Sequence, residues 1–107
     1  MDNKIKCVIQ RPGQVSEVIE VNARNPYLDF RRIFGGDCAE IIQLNYDFDI
    51  IADYERVSKS LKPNISFNGK TIHGTAIVVA DHNGEGFNSM TTAEIQAVRA
   101  WLLKHTI

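Results

Sequence analysis

The chain has 107 residues, a hydrophobic fraction of 44% and a formal net charge of −1 at pH 7. This length fits a single domain, residues 1–107, and the apolar content is that of a folded protein rather than a disordered one. A charge near zero excludes the general attraction to polyanions that strongly basic proteins have, so we expect neither nucleic acid nor membrane as a partner. No apolar stretch approaches the ~20 residues of a membrane span, and the first residues lack a secretion signal, so we expect a cytosolic protein.

The two cysteines, Cys7 and Cys38, are far apart in sequence. Neither has the close Cys or His spacing of a zinc site, and reduced thiols are usual in the cytosol. Both lie in apolar, strand-like segments. We therefore expect two buried, unreactive thiols and no bound metal.

The first third of the chain predicts a hairpin and a short helix. Residues 4–10 and 15–21 alternate apolar and polar side chains, with a turn between them. Asn25–Pro26 predicts a helix start, because Asn can cap free N–H groups and Pro suits the first helical position. The helix should run to about Phe34, where Gly35–Gly36 permits the left-handed exit.

The middle of the chain predicts a second hairpin. Its strands are residues 38–44 and 48–52, joined by a compact turn. Residues 53–62 are polar and weakly helical, and the Pro-Asn pair after them ends any helix. Asn68–Gly69 then predicts a tight turn.

Residues 72–80 predict one long central strand, because both of its faces are apolar toward the C-terminal half. Residues 81–84 predict a turn. The last helix should begin with a capping box of Thr91 and Glu94, and its apolar stripe should dock on the sheet. The expected fold is α+β: a mostly antiparallel sheet of about five strands, with a short helix and a longer C-terminal helix packed on one face.

Four segments in this order resemble the DUF3846 family of small proteins from phages, prophages and conjugative elements. They are Gly36 followed by residues 39–42, then residues 62–64, 72–79 and 84–91. The resemblance covers nearly the whole chain, although residues 53–60 are more polar than the family pattern. It implies a small α+β fold and a mobile-element origin, and it supplies no catalytic residues.

Several side chains could hold a phosphorylated ligand. Arginine pairs match phosphate oxygens, an aromatic ring on a loop can stack on a base, and amides, hydroxyls and imidazoles read polar edges. The candidate ligand-binding residues are Arg31, Arg32, Asn64, His73, Thr75, Phe87 and Asn88. Most of them have a plainer interpretation: a solvated helix face for the arginines, a structural turn residue for Asn64, a half-buried strand position for His73, and a ring packed under the sheet edge for Phe87.

No nucleophile stands in a motif with a histidine and an orienting group, so we expect no catalysis and no cofactor. Two function classes remain. The first is a phage or mobile-element counter-defence protein that sequesters a nucleotide immune signal of the cyclic dinucleotide or cyclic ADP-ribose type in the bacterial host cytosol. The second is an interaction module that inhibits a host enzyme by direct contact. Because a small domain encloses a ligand poorly by itself, we also expect a homo-oligomer.

Overall fold

The computed structural model describes residues 3–35, 38–55, 59–81 and 86–107. Its strands are β1 (Lys4–Gln10), β2 (Glu17–Asn22), β3 (Ala39–Gln43), β4 (Phe48–Asp53), β5 (Pro63–Phe67), β6 (Lys70–His73) and β7 (Ala76–Ala80). Its helices are α1 (Pro26–Ile33) and α2 (Thr92–His105). Within the described ranges, five strands form one antiparallel sheet in the order β2-β1-β7-β4-β3, and β5 pairs with β6 in a second, small sheet. The α+β class is confirmed.

Both hairpins predicted from alternation are confirmed. β1 pairs with β2, and β3 pairs with β4, each antiparallel. In the second turn the side-chain oxygen of Asn45 accepts from the N–H groups of Asp47 and Phe48, at 2.9 and 3.0 Å. Local turn chemistry therefore supports the register of the second hairpin.

The prediction of one strand over residues 72–80 is wrong. β6 ends at His73 and β7 begins at Ala76, and the two strands belong to different sheets. Gly74 between them has φ of +81°, a left-handed conformation that breaks an extended strand. β6 instead turns back on β5 through Asn68 and Gly69, as the tight-turn signal predicts. β5 itself was not predicted, because it is short and begins at a proline.

The two helices cover opposite faces of the main sheet, so the prediction that both pack on one face is wrong. Phe30 of α1 packs with the odd-numbered core residues of β1 and β7, whereas Val98 and Leu102 of α2 pack with the even-numbered ones. The β5–β6 hairpin shares the α2 face. β7 is buried at all five positions, so each of its faces needs its own cover.

The helix ends follow their sequence signals in part. The capping box of α2 is confirmed: the N–H of Glu94 donates to Thr91 Oγ1 at 3.1 Å, and the N–H of Thr91 donates to Glu94 Oε1 at 2.9 Å. α1 begins at Pro26, but the Asn25 side chain makes no capping hydrogen bond. Gly35, just after α1, has the expected positive φ of +79°.

The cysteine prediction holds for one residue only. Cys7 is buried, and burial, with a smaller contribution from the charge of Asp29, raises the pKa of its thiol to about 12. Cys38 is exposed, contrary to prediction, because it precedes an edge strand instead of lying inside the sheet.

Three sequence predictions reach beyond the described residues. Gly36, residues 56–58 of the polar segment and residues 82–85 of the turn after β7 lie outside them. In the described ranges no helix is long and apolar enough to cross a membrane. The same residues contain no group of three or more side chains placed to hold a metal ion.

Candidate ligand cavity

A cavity of about 360 Å³ lies at one end of the main sheet. Here β1 and β4 end, β7 begins, and α1 reaches its C-terminal end. The lining residues are Pro12, Ile33, Phe34, Asp53, Lys59, Leu61, Lys62, Gly74 and Thr75. Four separate parts of the chain thus meet around one space, which is of the size that small-molecule sites have.

The bend at Gly74 forms one wall of the cavity. Its N–H donates to the carbonyl of Lys62 at 2.7 Å. A Cβ added to Gly74 would lie 2.6 Å from Leu61 Cδ1 and 3.2 Å from Leu61 Cβ. The positive φ and the lack of space together require glycine at this position. The bend therefore holds the segment at Leu61 and Lys62 close against the start of β7.

Asn64 supports this wall from inside the core. It is buried, and its Nδ2 donates to the carbonyl of Gln10 at 2.8 Å and to that of Gly74 at 2.7 Å. Its Oδ1 has no hydrogen-bond partner among the residues that the structure describes. Asn64, one of the sequence-predicted ligand residues, does not line the cavity; it ties the end of β1 to the bend.

The charged lining combines an ion pair, in which the carboxylate is buried and the lysine is partly exposed, with a further lysine. The Asp53 carboxylate is buried and lies 2.6 Å from Lys59 Nζ, which also donates to the carbonyl of Phe34 at 3.2 Å. Lys62 lines the same space. Among the described lining residues, two ammonium groups and one carboxylate give a net charge of +1. This arrangement favours an anion.

The structure brings some of the sequence-predicted residues near the cavity. Thr75 lines it. His73 is half-buried, with Nδ1 3.0 Å from the carbonyl of Leu61, so its ring anchors the neighbouring segment. Arg31 and Arg32 are exposed on the last turn of α1, and Arg32 lies 3.7 Å from Asp29.

Phe87 and Asn88 lie at the other end of α1 and do not line the cavity. The half-buried ring of Phe87 packs against Tyr27 and Phe30, with ring centroids 5.8 and 6.0 Å apart. The backbone N–H of Asn88 donates to the carbonyl of Ala80 at 2.8 Å. The seven predicted residues are therefore not assembled into one site.

Near Phe87 the structure places a carboxyl pair that sequence reasoning missed. Asp49 is buried, and its side chain hydrogen-bonds that of Asp81. Burial, the hydrogen bond and the charge of Asp81 raise the pKa of Asp49 to about 6. The Tyr27 hydroxyl lies close enough that burial, Asp49 and Asp81 together raise its pKa. This environment favours the protonated form of Asp49, since a neighbouring like charge and burial both disfavour its ionisation.

A signal for these missed residues was present in the sequence. Asp49 and Asp53 alternate with Ile51, so all three side chains lie on the same face of β4. A carboxylate on the apolar face of a strand needs a partner when it is buried. The partners, Asp81 and Lys59, come from segments that follow β4 in the chain, and spacing alone did not indicate them.

The fold and the cavity define a small α+β protein with a sheet covered on both faces and a cationic, ligand-sized cavity at one sheet end. The family model DUF3846, a domain of unknown function, matches residues 5–103, and the chain belongs to this family. No curated protein matches the chain. No solved structure matches it either.

Proposed function

We propose that the protein binds a small phosphorylated ligand of the nucleotide type in the cavity at the end of the sheet, and holds it without chemical change. The observation that carries the proposal is the composition of the lining. Lys62, which carries an ammonium, and Thr75, which carries a hydroxyl, line the cavity together with Gly74, and the described lining residues have a net charge of +1.

The lining suits the two halves of a nucleotide. Phosphate oxygens accept hydrogen bonds from an ammonium and a hydroxyl, and bonds to charged groups are the stronger class. The apolar side chains of Pro12, Ile33 and Leu61 offer surface to a base or a sugar. Lys59 is held by Asp53 and Phe34, so its main role is to keep the cavity in shape.

The size of the cavity limits how much ligand one chain encloses. Sites for small molecules occupy roughly 300–1,000 Å³, and this cavity is at the lower end of that range. It would take one nucleoside phosphate unit. A larger cyclic nucleotide would extend outward, and the exposed Arg31 and Arg32 on the adjoining turn of α1 are suitable for a second phosphate.

The biological part of the proposal is counter-defence. Its support is the resemblance to small proteins of phages and other mobile elements, for which stoichiometric capture of a nucleotide immune signal requires binding alone. Cyclic dinucleotides and cyclic ADP-ribose isomers are therefore the first ligand classes to test. The alternative is direct inhibition of a host protein.

A thermal-shift screen with these nucleotides is the first experiment, because a ligand bound only to the native state raises the melting temperature. Calorimetry would follow for each hit, and then heat denaturation to recover the ligand. Intact recovered ligand supports sequestration, and a cleaved product would make the protein an enzyme. A panel without any hit would move the assignment to direct inhibition of a host protein.

Two substitutions locate the binding. Lys62→Ala and Thr75→Val should each weaken binding, by about tenfold or more for the lysine, since a hydrogen bond to a charged group contributes about 1.5–3 kcal/mol. Lys70→Ala is the matched control, because Lys70 is exposed in β6 and does not line the cavity. Equal losses for Lys62→Ala and Lys70→Ala would contradict the assignment, because they would indicate general charge attraction.

A further inference from the structure

The two edges of the main sheet, β2 and β3, differ in how they are protected against pairing with another strand. Edge strands commonly carry charges, prolines or bulges that discourage pairing. β2 has two glutamates, Glu17 and Glu20, and Glu17 lies 3.5 Å from Arg11. β3 reads Ala-Glu-Ile-Ile-Gln and has a single charged residue, Glu40, with no proline, glycine or lysine.

The hydrogen bonds to β4 define which backbone groups of β3 point outward. The N–H of Tyr54 donates to the carbonyl of Cys38 at 2.9 Å, and the N–H of Leu44 donates to the carbonyl of Phe48 at 3.1 Å. Even-numbered residues therefore face β4 across this antiparallel pair. The backbone groups of Ala39, Ile41 and Gln43 alternate with them and point away from β4. No strand of the described residues pairs with that side of β3.

An apolar side chain is exposed on the same edge. Ile41 is 47% exposed in the middle of β3. An exposed apolar side chain beside unpaired backbone groups, on a strand without proline or lysine, favours pairing with another strand.

We propose that β3 pairs antiparallel with β3 of a second copy, about a twofold axis at Ile41. Ile41 then pairs with its equivalent, and Ala39 pairs with Gln43 of the second copy on each side. All outward N–H and C=O groups of these three residues are satisfied, and the two main sheets become one continuous sheet.

The side chains suit this register. The two Ile41 side chains meet on the α1 face, where each is exposed in the single chain. Glu40 lies opposite Ile42 of the second copy, so the two glutamates are offset along the strand by about 7 Å and do not face each other. Self-pairing of β2 would bring four glutamates into one strand pair, which makes that edge the poorer choice.

The test is sedimentation equilibrium of the full chain, whose mass is 12.1 kDa, at concentrations up to millimolar. The wild type should reach twice that mass. Ile41→Lys should give the mass of one chain, because it places two ammonium groups at the twofold axis. Val18→Lys on β2 is the matched control, since Val18 is 42% exposed, and it should leave the dimer intact.

A second variant, Gln43→Pro, tests the same pairing in case Ile41→Lys does not fold. Gln43→Pro removes only an outward N–H, so the β3–β4 pairing should persist while the dimer weakens. Hydrogen exchange gives the register: the amides of residues 39, 41 and 43 should exchange slowly in the wild type and rapidly in Ile41→Lys. In Gln43→Pro, which has no amide hydrogen at position 43, the amides of Ala39 and Ile41 should exchange rapidly. A wild type with the mass of one chain, or a dimer that Val18→Lys dissociates and Ile41→Lys does not, would overturn the proposal.

Discussion

Two aspartates on the same face of β4 differ in the partner that each one meets. Asp53 is paired with the Lys59 ammonium at 2.6 Å, at the cavity end of the sheet. Asp49 meets a second carboxyl, that of Asp81, at the other end. The first arrangement stabilises a buried carboxylate charge, and the second favours the protonated form of Asp49.

The Asp49–Asp81 pair makes stability depend on pH. The folded pKa of Asp49, about 6, is above its ordinary value of 3.8, so between these pH values the native state holds a proton that the unfolded chain releases. Stability from this group is therefore present at low pH and is lost as pH rises toward 6. Asp49→Asn should raise the free energy of unfolding at pH 7 by on the order of 1 kcal/mol, and flatten its pH dependence between pH 4 and 6.

Urea melts at a series of pH values would measure this effect. Asp47→Asn is the control, because Asp47 is exposed in the neighbouring turn. An Asp49→Asn variant that keeps the pH dependence of the wild type would show that Asp49 does not hold the proton.

Removing only the lysine of the Asp53–Lys59 pair should cost more stability than replacing both charged side chains. Lys59→Met keeps the apolar stem but removes the ammonium that lies 2.6 Å from the buried carboxylate of Asp53. Because Lys59 is partly exposed, we expect a loss of about 2 kcal/mol, somewhat below that for a fully buried pair. The double variant Asp53→Asn with Lys59→Met should recover part of the loss. If denaturant melts gave the double variant the sum of both single losses, the two side chains would not be coupled.

At the scale of elements, the break between β6 and β7 shapes the cavity. Gly74→Ala should destabilise the fold by about 2 kcal/mol or more, because a left-handed φ is strained for alanine and its Cβ would overlap Leu61. Gly69→Ala is a close control: its φ is +71°, yet nothing lies within 4 Å of an added Cβ. Thermal melts should show a smaller loss of unfolding free energy for Gly69→Ala, of about 1 kcal/mol. Equal losses would mean that the contact with Leu61 has no effect.

Elements with a local signal were predictable from the sequence, and those that depend on tertiary contacts were not. The turn at Asn45 and the box of Thr91 and Glu94 involve residues within a few positions of one another. The bend at Gly74 interrupts an otherwise regular alternation, and its cause is contact with Leu61 and Lys62. The apolar pattern on both faces of β7 already required two covers, so helices on opposite faces could have been inferred.

The candidate site was predictable only in part for the same reason. Thr75 was identified, but Lys59 and Lys62 were not, because residues 53–62 carry no pattern stronger than polarity. The cavity depends on residues as distant in sequence as Pro12 and Thr75. The arginine and aromatic side chains that suggested a nucleotide are instead divided between the two ends of α1.

At the scale of the whole molecule, the main sheet places three features apart from one another. The cationic cavity lies at one end, the carboxyl pair at the other, and the β3 edge along one side. Variants at one feature should therefore leave the others intact, because contributions from distant sites add independently. This separation allows ligand binding and self-pairing to be tested with different substitutions.

The central claim, that the cavity binds a nucleotide-type ligand, is tested most directly by backbone amide NMR during titration with cyclic dinucleotides and cyclic ADP-ribose. We expect saturable shifts that concentrate on the amides of Lys62, Gly74 and Thr75, with Lys62→Ala weakening them. Spectra unchanged by every nucleotide, or saturable shifts confined to the Tyr27 and Phe87 end of α1, would contradict it.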